Sequence, residues 1–254
     1  MLWYKSWLDT RWRFLIGLAL LMLAAAGAVF TYPKVLQLMP MVPTDVGGEL
    51  GRRVREAAQL SREYRGYIWS QWFRQTPTQL GTLFAVLLGS GGLFGHGSGD
   101  GALFTLSLPV SRSQIVSTRA AAGLGELFAL AIVPSLLLPL LSPAVGESYG
   151  IGSALVHSLC LFAAGAVFFS LALLLSTVFD DVWRPLLITC ALAVIVSLCE
   201  SFAGAIGRYG IFAVMNGETY FRTGQLPWTG LLAVAGISAA LLYGATRRVE
   251  SQDF

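Results

Sequence analysis

The side chains that do chemistry are few in this chain and badly placed for it. Its two histidines, His96 and His157, and its three cysteines, Cys160, Cys190 and Cys199, follow no CxxC or Cys/His ligand spacing. The cysteines lie inside apolar runs and read as small buried hydrophobes, neither a disulfide frame nor a metal site. The glycine-rich stretch GSGGLFGHGSGDG, Gly89 to Gly101, has the composition of a phosphate cradle. A P-loop, however, needs GK followed by Ser or Thr, and the only lysines are Lys5 and Lys34, so ATP is not bound by that mechanism. His96 and Asp100 are too few donors for a metal. No HExxH occurs, and His96 and His157 are expected at opposite membrane faces, which leaves an intramembrane protease without its pair. What remains is a pair of carboxylates in apolar surroundings, Glu126 and Glu200. Charge at bilayer depth costs at least about 2.5–3.5 kcal/mol, so each is expected to face protein or water. Glu126 lies two turns beyond Arg119 on one helix face, where a bridging partner from another helix is expected. Glu200, between Ser197 and Ser201, is expected near a membrane interface.

The elements that position these residues are membrane helices. Of 254 residues, 55% are hydrophobic and 12% charged, with a mean hydropathy of +0.67, against roughly 25% charged in soluble domains. The net charge of +3 is too small and too dispersed for a nucleic-acid footprint, and no nucleic acid is expected as a partner. Six runs are free, or nearly free, of ionisable groups: Phe14–Phe30, Thr76–Gly95, Ala120–Leu141, Ile151–Phe179, Pro185–Ile206 and Leu226–Thr246. Each is long enough for a hydrocarbon core of about 30 Å. The fold expected is therefore an all-α integral membrane protein of one domain, 1–254, with six transmembrane helices at about 14–32, 76–96, 120–141, 152–178, 185–206 and 227–246. An outer loop, 33–75, and a coupling loop, 97–119, separate the first three.

Several features refine that plan. Trp3, Trp7 and Trp12 with Lys5, Arg11 and Arg13 predict an amphipathic N-terminal interfacial helix. The same basic lead also fits a signal peptide, but five further spans make the chain polytopic in any case. From Gly48 to Trp72 the outer loop has helical spacing, with Leu50, Val54, Ala57, Ser61, Tyr64, Ile68 and Trp72 on one face and five arginines elsewhere, which predicts an amphipathic helix lying on the membrane. Pro134 and Pro139 are expected to kink or break the third span. The fourth run exceeds what a bilayer needs, so its end near His157 is expected to project or the helix to tilt. Small-residue ridges, Gly81/Ala85/Gly89 and Gly236/Ala240/Gly244, predict close helix packing. The basic residues divide almost evenly between the two sides, and the charged lead to the first helix places both termini in the cytoplasm.

The segment GDGALFTLSLPVSRSQIVSTR, Gly99 to Arg119, is the most informative. Pro109 stops a short apolar helix, and Ser111 with Gln114 forms a capping box that starts the next. Leu103, Phe104, Leu106 and Leu108 give the short helix an apolar side in want of a partner. Here the chain resembles the membrane permeases of type-two ATP-binding-cassette (ABC) exporters, whose pattern is an acidic, glycine-containing lead, then GT, then LLSLPVSR and an aliphatic run. YIWSQWF, Tyr67–Phe73, with Gln79 and Leu80, is similar to that family's stretch before the second span, and the ending RRVESQDF to its charged tail. The likeness departs at Ala102, where the family usually has Thr, and in lacking a Glu pair in the lead.

The resemblance implies a six-helix permease in the inner (plasma) membrane that forms the translocation pathway with a second permease copy and is driven by two separate ATPase subunits. ATP and Mg would then belong to the partner, and this chain would be neither an enzyme nor a cofactor binder. It also implies that Asp100, Gly101, Leu103, Leu106, Pro109, Val110, Ser111 and Arg112 couple the permease to the ATPase. The alternatives are a non-transporting membrane anchor or assembly factor regulated by an ATPase, and an intramembrane enzyme.

Overall fold

A computed structural model describes residues 2–38, 48, 58–91, 112–179, 181–202 and 206–251. Asp100, Gly101, Leu103, Leu106, Pro109, Val110 and Ser111 lie outside them, as do His96 and the part of the outer loop that holds Leu50 and Val54; Arg112 is the first residue of a helix.

All described elements are helical. α1 (Leu2–Leu38) is followed by a helical turn over 58–62, α2 (Tyr64–Ile68), a π-helix (Trp69–Phe73) and α3 (Thr76–Gly89). Then come α4 (Arg112–Leu141), a 3₁₀ turn, α5 (Ile151–Ser176), α6 (Trp183–Phe202), the short α7 (Ile211–Met215) and α8 (Glu218–Thr223), and α9 (Trp228–Glu250). Five helices, α1, α4, α5, α6 and α9, are long and apolar enough to cross a membrane. The sixth run is described as the 14 residues of α3, about 21 Å of helix and short of a hydrocarbon core by itself.

α1 shows why an apolar medium suits this bundle. Thr10, Phe14, Gly17, Leu21, Ala25, Val29 and Tyr32 recur at helical spacing and are buried, while Leu15, Ile16, Leu20, Leu23 and Phe30 on the other faces are exposed. A helix apolar all round that buries one stripe needs an apolar medium for the rest. The same holds most strongly for α6, of whose apolar window 17% is buried, whereas α5, at 67%, is the central post. α3, α4 and α9 pack around α5, and α1 packs on α4. The α1 lead is continuous with the span, and Trp3, Tyr4 and Trp12 stand exposed along it.

Two of the small-residue expectations part company. On α3, Gly81, Ala85 and Gly89 are all buried, and a Cβ at Gly89 would strike the Phe169 carbonyl and come 2.9 Å from the Ala172 methyl, so the α3 and α5 backbones touch there. On α9 the predicted ridge faces outward: Gly236 and Ala240 are exposed, and packing uses Gly230, Val234, Ser238, Ala245 and Val249 instead. Ser238 decides this, its hydroxyl meeting Ser170 at 2.8 Å and the Ala166 carbonyl at 3.2 Å on α5.

Three other expectations are corrected. α4 is unbroken through Pro134 and Pro139 to Leu141; Ser135 donates to the Ala131 carbonyl at 2.8 Å and Ser142 to that of Leu138 at 2.7 Å, adding backbone contacts near both prolines. The 58–73 segment does bury Tyr64, Ile68 and Trp72, but Gly66, Tyr67, Trp69 and Phe73 are buried as well, so it is tucked into the bundle rather than laid on a surface. The wide π turn, closed by Arg74 N–H to the Trp69 carbonyl at 2.9 Å, turns Trp69, Trp72 and Phe73 inward together. His157 does not project: it is fully buried, stacked on Phe73 at 4.5 Å and edge-on to Tyr220 at 5.2 Å.

Candidate functional site

The bundle has two ends. At the near end lie the starts of α1, α4 and α6 and the finishes of α3, α5 and α9, joined where Val116 packs with Ala245 and Val249. At the far end lie the 64–73 segment, the 142–150 connection and α7–α8.

Between α3, α6 and α7 runs a cavity of about 690 Å³. α3 contributes Thr78, Gln79 and Thr82, and α6, itself long and apolar enough to cross a membrane, contributes Cys190, Ser197, Glu200 and Ser201. Phe212 and Asn216 of α7 close one side, and Arg74 and Glu218 stand at the far-end mouth. Thr78 donates to the Phe73 carbonyl at 2.8 Å and Thr82 to that of Thr78 at 2.6 Å, so both hydroxyl hydrogens are used by the backbone. Gln79 and Ser197 supply donors with no such commitment among the described hydrogen bonds. The rest of the wall is apolar, with Leu83, Ala193, Val194 and Leu198. Such a lining suits an amphipathic guest and holds no nucleophile beside a base.

Glu200, in the last turn of α6, belongs to this wall. Its two oxygens accept the Phe212 N–H at 3.2 and 3.0 Å, where α7 begins, and a Cβ at Gly210 would collide with the carboxylate. The residue therefore fastens α7 to α6 and holds one cavity face in place.

Glu126 sits elsewhere, at the near end, and has the partner expected from another helix: Thr10 of α1 lies 2.5 Å from its Oε1. Both residues are buried, at 5% exposure each. Thr10 also meets the Ser6 carbonyl at 3.0 Å. Arg119, Asp9 and Arg13 complete the group: Asp9, Arg13 and Glu126 all act electrostatically on Arg119. Thr10 and Glu126 are buried in the seam between α1 and α4, and Asp9 stands exposed beside it. Arg13 donates to the Leu87 carbonyl at 2.9 Å, and a Cβ at Gly91 would strike the Arg119 guanidinium and lie 3.4 Å from Arg13 Nη1. Both arginines therefore rest on the end of α3, where the last carbonyls lack helical partners and the helix dipole favours a cation.

At the far end, Trp69 stacks on Phe221 at 4.3 Å, and Arg74 and Arg65 lie over the outer faces of those rings at 5.7 and 5.8 Å. Tyr32 packs against Tyr64 and Tyr67 at 4.9 and 5.0 Å, and Tyr64 bonds Ser142 at 2.7 Å. Burial pushes the phenols of Tyr64, Tyr67 and Tyr149 above their ordinary value, which keeps this block uncharged at neutral pH.

Among the described residues no three His, Cys, Asp or Glu side chains come together as a metal site. No family model matches the chain, and neither a curated protein nor a solved structure matches it. Of the residues singled out from sequence, the structure places Glu200 in the cavity and Glu126 in the near-end seam, and does not bring them together. Sequence reasoning does not single out Gln79, Thr82 and Ser197 as site residues, because isolated polar residues in apolar helices are common. Their only signal was polarity at one helical spacing, on Thr78/Thr82 and on Ser197/Ser201.

Proposed function

We propose that the chain is the permease subunit of an ATP-binding-cassette exporter, working as a dimer and driven by separate ATPase subunits. The near end is then cytoplasmic, with both termini there, and the run that holds α3 is the second of six spans. One observation of the fold carries the reading: the cavity of about 690 Å³ between α3 and α6 is lined by Gln79, Ser197 and Glu200 among otherwise apolar helix faces. Lipid does not solvate such groups, so a water-filled path, a guest or a second copy of the chain must. A transported amphipathic molecule needs such a surface; a passive anchor does not. The resemblance of Gly99 to Arg119 to the exporter permeases supplies the rest, since it assigns a docking segment to the end of the bundle where α3 finishes and α4 starts.

In this reading Leu106, Pro109 and Arg112 dock on the ATPase, and a few apolar contacts carry most of the affinity. Leu106→Asp, or Pro109→Ala with Arg112→Glu, leaves the permease inserted and releases the ATPase on purification. Leu106→Ala retains the ATPase and lowers its stimulation by cargo. The measurement is co-purification together with ATP hydrolysis in lipid vesicles; full binding and transport by both severe variants would remove the coupling role. Sidedness has its own test, because a cysteine at Gln59 should react with impermeant thiol reagents in intact cells, and labelling confined to lysed cells reverses the topology.

A further inference from the structure

The end of α3 is gripped from two other helices, and the opposite half of the same helix is a wall of the cavity. Arg13 of α1 reaches the Leu87 carbonyl at 2.9 Å, and Arg119 of α4 lies against Gly91, just beyond the last turn. Thr78, Gln79, Thr82 and Leu83 line the cavity. Leu83 and Leu87 are one turn apart, and α3 has its only proline, Pro77, in its first turn, so nothing between grip and wall can bend. The grip itself depends on the seam that Thr10 and Glu126 close, 2.5 Å apart though 116 residues distant in the chain. If α1 slides on α4 by a single hydrogen-bond length, Arg13 and Arg119 cannot both keep their places on α3.

We propose that Thr10, Arg13, Arg119 and Glu126 form a positioning joint, in which the α1–α4 seam sets the place of the α3 end and, through that rigid helix, the width of the cavity. These are positioning residues: none of them lines the cavity, and each acts through α3. The joint stands where the chain leaves α3 and re-enters as α4, so movement of either helix start is delivered to the cavity wall by a rigid body rather than dispersed in side chains. Its purpose rests on reading the cavity as the export path; its mechanics do not.

A native thiol reports the cavity. Cys190 lines it, Cys160 is fully buried, and Cys199 is exposed and can be removed as Cys199→Ser. The rate at which a small water-soluble methanethiosulfonate modifies Cys190, followed by mass spectrometry on purified protein in lipid nanodiscs, measures how open the cavity is. Arg13→Gln and Thr10→Val release the α3 end and raise that rate roughly three- to tenfold, while the protein remains folded. Arg13→Lys, which can still donate to Leu87, returns the rate to near that of the parent. Arg247→Gln, exposed at the same end of the bundle, leaves it unchanged. Should Arg13→Gln not fold, Glu126→Gln keeps the shape of the seam, and its rate decides in the same direction. An unchanged or slower Cys190 rate in the folded variants overturns the joint. Because no ATPase or cargo enters the measurement, that failure leaves the exporter reading standing, and loss of the exporter reading leaves a positive result intact.

Discussion

The far end of this bundle is held by rings and the near end by hydrogen bonds. At the far end Trp69, Phe73, Tyr64, Tyr67, Tyr149, His157 and Phe221 pack into one block whose contacts are broad and mostly undirected. At the near end one short contact between Thr10 and Glu126, one bond from Arg13 to Leu87 and the charges around Arg119 join three helices. Broad apolar packing resists displacement in every direction and is lost only as a whole. Directional polar contacts hold one arrangement and can be exchanged for another at similar energy. Under the proposed function, the difference would make the far end the anchor and the near end the place where helices shift.

Four substitutions and one control sharpen or break this comparison. The largest effect belongs to the far end: Phe73→Ala removes the ring between His157 and Tyr149 and should cost about 3–5 kcal/mol in chemical unfolding of detergent-solubilised protein. A loss below about 1 kcal/mol would mean the block is not the anchor. Next is the α3–α5 contact, where Gly89→Ala sets a methyl against the Phe169 carbonyl and should cost about 1–3 kcal/mol. At the near end, Thr10→Val removes a buried partner of Glu126 and should cost about 1 kcal/mol by the same unfolding measurement, well under the Phe73 value. Equal costs at the two ends would erase the contrast. The smallest effect is expected from Arg74→Gln, which gives up the guanidinium over Trp69 at an exposed position and should cost roughly 0.5–1 kcal/mol. Gly236→Ala, with nothing within 4 Å of its Cβ, is the matched control for Gly89 and should not destabilise the protein.

Glycine position shows how far a sequence pattern reaches. Gly81/Ala85/Gly89 and Gly236/Ala240/Gly244 have the same spacing and the same chemistry, yet one faces a helix and the other faces away from the bundle. Spacing reports that a helix has a flat face; which face meets a neighbour depends on the rotation of that helix, and in lipid an apolar surface does not reveal which side is inside.

Length, hydropathy and the scarcity of charge determined by themselves that the chain is all-helical, with several helices apolar enough to suit a membrane, because lipid favours backbones whose hydrogen bonds close within one segment. Sequence also located Glu126 and Glu200 as residues in need of partners, since a carboxylate in an apolar run is conspicuous. Only the tertiary structure decided who those partners are. Thr10 lies 116 residues from Glu126, and the Phe212 N–H that Glu200 receives belongs to a five-residue helix with no periodic signal of its own. It likewise decided that Tyr67, Trp69 and Phe73 turn inward, because a π turn shifts side chains off the 3.6-residue spacing from which a surface helix was expected. The cavity was illegible for the same reason: its walls come from helices more than a hundred residues apart, and a void is a property of how helices lean, which no single helix encodes.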